Sequence, residues 1–383
     1  MDLSWTKKQL DYKQKVIDFA EKNLNNSLSE RDRDCVFSRA DWEKCAAFGI
    51  QGLASPLKYG GQFDVVDILT ATLAMEGLGY GCKDNGLPFS LNAQMWTVQL
   101  PIAQFGSEFQ KNKYLKALSS GKSIGCHGLT ETNAGSDVFN METTAKKVDG
   151  GYILNGSKRL TTLGPIADIA LIFAKTNPKL GKWGVSGFIV EKGTKGFSVS
   201  ENKPKMGMRT VPIGDLIFED CFVPDENRLG KEGAGWSITI SSLEYDRCNI
   251  LASQLGAMEY QLETTIKFVK NRKQFGKSIS EFQSISNRIA NMKLRIETSR
   301  LLLYQVAWLK SQGKSAMMEA ALLKLQLSES FVASSMDAIR CHGGSGYLTE
   351  FEIERNLRDA IGGVIYAGTS DIQRNIISQI LGL

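Results

Sequence analysis

The spacing of hydrophobic residues changes twice along the 383-residue chain. From Ser4 to about Gly121, apolar residues recur at helical spacing, as in QKVIDFAEKNL and VVDILTATLAMEGLGYG. From about Ser123, short β-rich runs such as SIGCHGLTE and IADIALIFAKT alternate with glycine, asparagine and proline. After VPDENRLGKEGAGW the helical spacing returns and holds to the end of the sequence. The pattern therefore predicts helices, then strands, then helices.

This order predicts an α+β protein with one domain for each region. The last helical segments are long enough to build a four-helix bundle. In the middle region, Asp149–Gly151 and Asn155–Gly156 are typical of hairpin turns. The predicted domains are an N-terminal α-helical domain at 1–122, a middle β-barrel domain at 123–228 and a C-terminal α-helical bundle domain at 229–383.

Charge excludes one class of partner and leaves others open. Lysine and arginine exceed the acidic residues by five (46 − 41), and no dense basic tract is present, so we expect no nucleic-acid partner. The small positive charge suits an acidic carrier or a phosphorylated ligand, and an ordinary solvated surface would give the same balance.

Cysteine use and hydropathy predict a cytoplasmic protein. The seven cysteines form an odd set without CxxC spacing, which argues against a disulfide framework and against a zinc ribbon. The N-terminal stretch is amphipathic and charged, unlike a signal peptide, and no run of about 18 or more apolar residues could span a bilayer. We therefore expect no membrane contact.

Neither a metal centre nor a dinucleotide-binding loop is indicated by the motifs. The two histidines, His127 and His342, are too far apart in sequence for a metal signature. The glycine clusters GLGYG (77–81) and HGGSGY (342–347) partly imitate dinucleotide loops, but neither follows a predicted strand. Helix termini explain these glycines better.

Several stretches, in order, resemble the acyl-CoA dehydrogenase family of flavoproteins, and the resemblance covers nearly the whole chain. The helix, strand, helix order is also the one that this family uses. The stretches are LTETNAGSD (129–137), LNGSKRLTT (154–162), FEDCFVPDENRLG (218–230), NRKQFGKSISEFQ (271–283), HGGSGY (342–347), RDA (358–360) and YAGTSDIQR (366–374).

The resemblance implies an FAD-dependent enzyme and an acyl-CoA dehydrogenase-like fold. FAD would bind without a Rossmann fold at a subunit interface of a homotetramer, built as a dimer of dimers. A base would remove the proton α to a thioester carbonyl while the β-hydrogen leaves as hydride to flavin N5. This chemistry needs a base, a group that polarises the carbonyl and an electron sink.

The same resemblance implies which residues bind the cofactor. In the middle domain, the implied positions are His127, Leu129 and Thr130 beside the flavin ring, Gly135 and Ser136 near the pyrophosphate, and Thr161 and Thr162 at the ring edge. From a neighbouring subunit, Arg272 would pair with the pyrophosphate and Phe275 would cover the adenosine side, and Gln283, Gly343, Gly344 and Thr369 would line the cofactor. Ordinary turn chemistry is the alternative for the small residues.

Four positions depart from the family pattern. Arg340 stands where the family usually has glutamine, and it would either add a second cation to the pyrophosphate or change the cofactor affinity. Asp371 also replaces a common glutamine, so the resemblance leaves its contact with the cofactor open. Leu160 replaces a tryptophan that covers the flavin, and His127 replaces an aromatic or small residue. These last two changes are either neutral repacking or an oxidase signature, in which a cationic imidazole stabilises superoxide beside the reduced flavin.

The sequence leaves the identity of the base open. Many family members carry a glutamate at the position of Ala367, which cannot accept a proton but keeps a backbone N–H for the thioester oxygen. A branch that resembles isovaleryl-CoA dehydrogenase places its carboxylate on an earlier helix, before an arginine. That helix, SSLEYDRCNILASQLG, offers Glu244 and Asp246 ahead of Arg247. These two point about 200° apart, so only one of them can face the flavin.

The resemblance also points to the substrate class. A base on the earlier helix is associated with branched or unusual acyl groups, and Met95 and Trp96 either narrow the acyl pocket or are plain core. Together with the possible oxidase signature, the pattern is similar to the carrier-protein-dependent branch that oxidises prolyl thioesters in natural-product biosynthesis, with O2 as acceptor. The alternatives are a short- or branched-chain acyl-CoA dehydrogenase that passes electrons to an electron-transfer flavoprotein, and a flavin monooxygenase on the same fold.

Overall fold

The computed structural model describes residues 4–383, so the first three residues of the predicted N-terminal domain lie outside the described residues. The N-terminal region is helical, as the spacing of its apolar residues predicts. Its first helix begins at a capping box in which Thr6 and Gln9 exchange hydrogen bonds. The helices are α1 (Lys7–Asn23), α2 (Leu28–Asp34), α3 (Arg39–Phe48), α4 (Ile68–Gly81), α5 (Gly86–Gln94), α6 (Leu100–Phe105), α7 (Glu108–Gln110) and α8 (Lys116–Ser119), with π-helical turns at Met95–Gln99 and Lys111–Leu115.

The middle region is a mixed eight-stranded sheet. Its strands are β1 (Gly125–Gly128), β2 (Thr144–Val148), β3 (Gly151–Thr162), β4 (Ile169–Lys175), β5 (Val185–Glu191), β6 (Phe197–Val199), β7 (Ile213–Pro224) and β8 (Arg228–Leu229). They follow the order β6-β7-β3-β2-β4-β5-β8, and β1 pairs in parallel with β4. Within residues 4–383, β6 and β8 are not paired with each other, so hydrogen bonds do not close the predicted barrel.

The two predicted hairpin turns have different outcomes. At the first, Val148 pairs with Gly151 and Gly150 adopts a φ of 71°, which closes the β2–β3 hairpin. The second prediction is wrong, because Asn155–Gly156 lies inside β3. The register of β3 against β7 shifts between Leu154 and Gly156, and Gly156 has a φ of 135°. A strand bulge needs the same backbone freedom as a tight turn, so the sequence signal is shared.

The C-terminal region consists of long helices and one short hairpin. Its elements are α9 (Gly235–Asn271), β9 (Lys273–Gln274), β10 (Lys277–Ser278), α10 (Gln283–Ser311), α11 (Met317–His342), α12 (Gly344–Tyr347), α13 (Ile353–Gly363) and α14 (Ser370–Ile380). Helices α9, α10 and α11 pack against one another, and α13 and α14 cover α11. No helix within residues 4–383 is both long and apolar enough to cross a bilayer.

The GLGYG cluster is a helix-packing motif in α4. A Cβ atom at Gly79 would lie 1.8 Å from the carbonyl oxygen of Ser253 on α9, and one at Gly81 would lie 2.7 Å from the carbonyl oxygen of Ile17 on α1. Glycine therefore lets α4 approach both neighbours closely. This contact fixes α9, which carries both candidate bases, against the N-terminal helices.

Candidate active site

The two candidate bases on α9 have different surroundings. Glu244 accepts hydrogen bonds from Lys310 Nζ at 2.6 Å, from Ser315 Oγ at 3.2 Å and from the Ala316 amide at 3.3 Å. Its carboxylate is therefore held between α9 and the start of α11. A carboxylate with three donors, one of them the Lys310 ammonium, is typical of a structural ion pair.

Asp246 is buried and has a free acceptor. The residue is 4% exposed, and its Oδ1 has no hydrogen-bond partner among residues 4–383. Burial raises the pKa of Asp246 from 3.8 to about 7, although the neighbouring Arg247 guanidinium acts in the opposite direction. A carboxyl group with this pKa can both take up and release a proton near neutral pH.

The turn that contains Ala367 has a strained backbone whose carbonyl is fixed. Ala367 adopts a φ of 53°, a region that residues other than glycine rarely occupy. Its carbonyl oxygen accepts hydrogen bonds from Arg247 Nε at 3.1 Å and from Gln373 Nε2 at 3.3 Å. Its own N–H makes no hydrogen bond in the described part of the chain. The turn therefore presents an unused backbone donor.

Tyr366 connects this turn to Asp246. Gln254 Nε2 donates to the Tyr366 hydroxyl at 2.6 Å, and the Phe89 ring lies 4.7 Å from the Tyr366 ring. Burial raises the pKa of Tyr366, and the charge of Asp246 raises it further. Asp246 and the turn thus share one buried environment.

A second buried cation stands near Arg247. Lys324 on α11 is 1% exposed, and its Nζ has no hydrogen-bond partner within residues 4–383. Burial lowers the pKa of Lys324 to about 8, and the Arg247 charge contributes to this shift. Lys324, Gln254 and Gln373 could not be singled out from the sequence, because helical periodicity does not distinguish buried polar residues from solvated ones. Tyr366 lies in the turn between α13 and α14, where no periodic pattern marks it.

The predicted positions of the middle domain come together at the ends of β1 and β3. His127 is in β1, and the carbonyl oxygen of Thr130 accepts a hydrogen bond from the Arg159 amide at 2.7 Å. Leu129 and Thr130 therefore run beside the segment that carries Thr161 and Thr162. The Oγ1 atom of Thr161 is buried without a hydrogen-bond partner in the described chain.

A buried ion pair fixes this arrangement. Lys158 Nζ lies 2.6 Å from Glu131 Oε1, and the Glu131 carboxylate also accepts a hydrogen bond from the Thr143 amide at 3.1 Å. Burial lowers the pKa of Lys158 to about 8, while Glu131 acts in the opposite direction. Gly135 and Ser136 follow in an exposed loop, where nothing lies within 4 Å of a Cβ added at Gly135.

Leu160 and His127, the two positions near this group that depart from the family pattern, have different surroundings. Leu160 is 52% exposed and has a φ of 56°, at a register shift of β3 between Lys158 and Thr161. The His127 ring contacts Phe173, and its Nε2 is buried without a partner among the described residues. Burial, and then the Lys158 charge, lowers the pKa of His127 to about 4. Burial therefore favours a neutral imidazole at pH 7 and disfavours the cationic alternative.

The remaining predicted positions form two groups in the C-terminal region. Thr369 is the N-cap of α14, and Asp371 pairs with Arg374 at 2.9 Å in the first turn of that helix. The second group lies near the ends of α9 and α11, which a stack of the Phe268 and His342 rings joins at 4.2 Å. Its members are exposed: Arg272, Phe275, Gln283, Arg340, Gly343 and Gly344.

The C-terminal groups are not bonded directly to the middle-domain group in the described residues. Phe275 is 93% exposed at the tip of the β9–β10 hairpin. No hydrogen bond or ion pair in the described structure joins either C-terminal group to the residues at the ends of β1 and β3. The side chain at the tip of this hairpin is therefore free to contact another molecule.

Met95 and Trp96 belong to the core. Both are fully buried, and Trp96 Nε1 donates to Asn92 Oδ1 at 2.8 Å. The Trp96 ring stacks on Tyr245 of α9, with the ring centroids 6.4 Å apart. Trp96 thus supports the helix segment between Glu244 and Asp246.

Comparison with known families accounts for nearly the whole chain. The N-terminal, middle and C-terminal domains described for acyl-CoA dehydrogenases match residues 6–122, 126–221 and 233–382, respectively. These three matches correspond to the helical, β and helical regions of the structure.

Individual relatives are similar over their full lengths. An L-prolyl-[peptidyl-carrier protein] dehydrogenase from a Serratia species is 41% identical over 383 residues, covering 100% of this chain and 99% of the relative. The crystal structure of the prolyl acyl carrier protein oxidase AnaB superposes with a TM-score of 0.97 at 46% identity, over 99% of this chain and 100% of AnaB. The structure of PigA with FAD and proline has a TM-score of 0.97 at 41% identity and full coverage of both chains.

Proposed function

Because the chain belongs to the acyl-CoA dehydrogenase family, we propose that it is an FAD-dependent enzyme that oxidises a prolyl group held as a thioester on a carrier protein. The Serratia relative and AnaB are named for this substrate, and the PigA structure contains FAD and proline. Each matches the chain almost from end to end. Similarity to these relatives therefore supports the substrate class. The residues of the site support the reaction type.

The described residues fit FAD. The buried, unpartnered atoms Thr161 Oγ1 and His127 Nε2 suit the polar edge of a flavin ring, and the open loop at Gly135 and Ser136 suits a pyrophosphate. Leu129, Thr130 and Thr162 would complete this half of the site. When bound, the flavin supplies the hydride acceptor.

A second subunit would provide the other half of the cofactor site. Arg272 and Phe275 are exposed, which supports this part of the proposal. A guanidinium can pair with phosphate oxygens, and a solvent-exposed phenyl ring is typical of a surface that a binding partner buries. The other candidates there are Gln283, Arg340, Gly343 and Gly344, with Thr369 and Asp371 nearer the Ala367 turn. We further propose a homotetramer built as a dimer of dimers, and the seven free cysteines favour a reducing cytoplasm.

The observation that carries the reaction type is the free, buried carboxylate of Asp246. We assign it as the base that removes the α-proton of the thioester. Its pKa of about 7 leaves much of it deprotonated at neutral pH, and its unbonded Oδ1 can accept a proton. Glu244, which the sequence left as the alternative, is held by Lys310 and two further donors, and this argues for a structural role.

The Ala367 turn would polarise the thioester carbonyl. Removal of an α-proton develops negative charge on the carbonyl oxygen, so a fixed N–H donor stabilises the transition state. Arg247 and Gln373 hold the peptide from its carbonyl side, and the N–H of Ala367 is free. Loss of the α-proton to Asp246 and of a ring hydride to the cofactor would give a pyrroline thioester.

Two other functions on the same fold have weaker support. A short- or branched-chain acyl-CoA dehydrogenase would use the same base and the same turn, and differs in its carrier and in its electron acceptor. A flavin monooxygenase would need no helix carboxylate, which leaves the buried and unpartnered Oδ1 of Asp246 without a role.

Anaerobic reduction of the flavin tests the proposal. The purified enzyme is mixed with prolyl-carrier protein, and separately with short acyl-CoAs, while flavin absorbance is followed. We expect rapid bleaching with prolyl-carrier protein and prompt recovery when air is admitted. Faster bleaching with an acyl-CoA, followed by a long-lived reduced flavin in air, would favour the dehydrogenase alternative. No bleaching with any thioester would reject both.

A further inference from the structure

An exposed aromatic and basic surface lies where the middle domain meets the start of α9. The Trp183 ring, which is 51% exposed, contacts the Trp236 ring edge-on with the centroids 4.7 Å apart. Lys182 Nζ lies 5.2 Å from the Trp183 centroid and 4.6 Å from the Trp236 centroid. Leu180, on the same loop, is 55% exposed. An exposed tryptophan that packs on a half-buried one beside a cation is typical of a binding surface rather than of a solvated loop.

The charge of this surface is positive. Lys179, Lys182 and Lys231 are exposed, and none of them forms an ion pair within the part of the chain that the structure describes. The nearby acid Glu232 accepts a hydrogen bond from the Tyr152 hydroxyl at 2.8 Å and lies 3.6 Å from Arg228. Its charge is therefore already compensated, and the surface suits an anionic partner.

The surface is also fixed in place. The Gly233 amide donates to Ser186 Oγ at 2.9 Å, and a Cβ at Gly233 would lie 2.6 Å from the Trp183 carbonyl oxygen. The tryptophan loop (178–184) is thereby held against the entry to α9. It also packs on the turn at 138–140, which follows directly after the loop of Gly135 and Ser136.

The distance from this surface to the proposed base suits a tethered substrate. Trp236 and Asp246 lie on one continuous helix, ten residues apart, which is about 15 Å along its axis and about 80° around it. An extended phosphopantetheine arm spans a comparable length. The phosphodiester at the base of that arm, and the acidic domain that carries it, are both anionic.

We propose that Lys182, Trp183 and Trp236 form the docking surface for the carrier-protein domain, with the phosphopantetheine arm passing from there toward Asp246. The inference depends on the proposed function, because it assigns the face that receives the carrier. The tryptophans would contact an apolar part of the carrier domain, and the lysines would pair with its acidic residues and with the arm phosphate.

Steady-state kinetics with three thioesters test this docking surface. The double variant Lys182→Glu, Trp183→Ala is compared with wild type on prolyl-carrier protein, prolyl-pantetheine and prolyl-CoA. Lys22→Glu is the control, because it makes the same charge change at an exposed lysine of α1 that forms no ion pair in the described residues. We expect the double variant to raise KM for prolyl-carrier protein at least about tenfold, as loss of an aromatic anchor does. Values of kcat on all substrates and of KM for prolyl-pantetheine should stay at the wild-type level.

Other outcomes would overturn the docking surface. An unchanged KM for prolyl-carrier protein would refute the docking surface. A KM that rises only for prolyl-CoA would show instead that the tryptophans stack on a nucleotide. An equal rise with prolyl-pantetheine would assign them to the folding of the active site.

Calorimetric binding of the unloaded phosphopantetheine carrier separates this proposal from the proposed function. If wild type binds the carrier and the double variant does not, the surface stands even where no thioester reduces the flavin. If wild type does not bind the carrier, the surface is wrong whatever the flavin does.

Discussion

Replacement of Asp246 by asparagine should stabilise the folded chain in a pH-dependent way. The folded pKa of Asp246 is about 7, against an ordinary value of 3.8. The folded state therefore binds the extra proton between these two values, and folding stability falls as pH rises from about 4 to about 7. Each pKa unit corresponds to about 1.4 kcal/mol, so the buried carboxylate costs about 4 kcal/mol at pH 8 and under half of that at pH 5. Asparagine has a similar size and stays neutral.

Urea unfolding followed by tryptophan fluorescence at pH 5 and pH 8 measures this difference. We expect the stability advantage of Asp246→Asn over wild type to grow by about 2 to 3 kcal/mol between these pH values. Glu244→Gln is the matched comparison, and it should destabilise the chain by about 3 to 5 kcal/mol because Lys310 loses its buried partner. An advantage of Asp246→Asn that is constant or shrinks toward pH 8 would show that burial does not raise the pKa of Asp246.

Three further predictions concern the turn, the imidazole and the buried ion pair. Ala367→Gly should stabilise the chain by about 1 kcal/mol in urea unfolding, because glycine accepts the φ of 53° without strain, and a loss of stability would contradict this. Reoxidation of the reduced enzyme by O2 should show no His127-dependent pH transition between pH 5.5 and 8, because burial keeps the pKa of His127 at about 4. Stopped-flow reoxidation rates of wild type and His127→Gln measure this. A transition that is present in wild type and absent in His127→Gln would contradict it. Lys158→Met should lower the free energy of unfolding by about 3 to 5 kcal/mol by leaving Glu131 buried without its cation, whereas the exposed control Lys22→Met should change it little.

The order of secondary structure was predictable because each region carries its own hydrophobic period. Helical spacing marks α9 to α11 over many turns, and short apolar runs mark the strands. Local glycine signals were less specific. The same Asn–Gly pair that suggests a hairpin forms a bulge at Gly156, and the glycines of GLGYG serve helix packing.

The choice between Glu244 and Asp246 could not be made from sequence. Helix geometry alone predicts that the two side chains point in different directions. What separates their roles is contact with Lys310, which lies 66 positions away along the chain. Burial then sets the pKa of Asp246, and burial depends on the whole packing of α9 against its neighbours.

The charge of His127 could not be predicted from the sequence either. A histidine beside an expected flavin suggests a cation, because its ordinary pKa lies near neutrality. Contact with Phe173 and the nearby Lys158 charge could only be seen after β1, β3 and β4 were placed next to one another. The residues that hold the Ala367 carbonyl, Arg247 and Gln373, likewise come from different helices.

The most direct test of Asp246 as the base is the single-turnover rate of flavin reduction by prolyl-carrier protein under anaerobic conditions. We expect Asp246→Asn to lower this rate by about 10²- to 10⁴-fold, with the FAD content unchanged, while folded Glu244→Gln stays within about tenfold of wild type. Wild-type rates in Asp246→Asn, together with a collapse in Glu244→Gln, would contradict it.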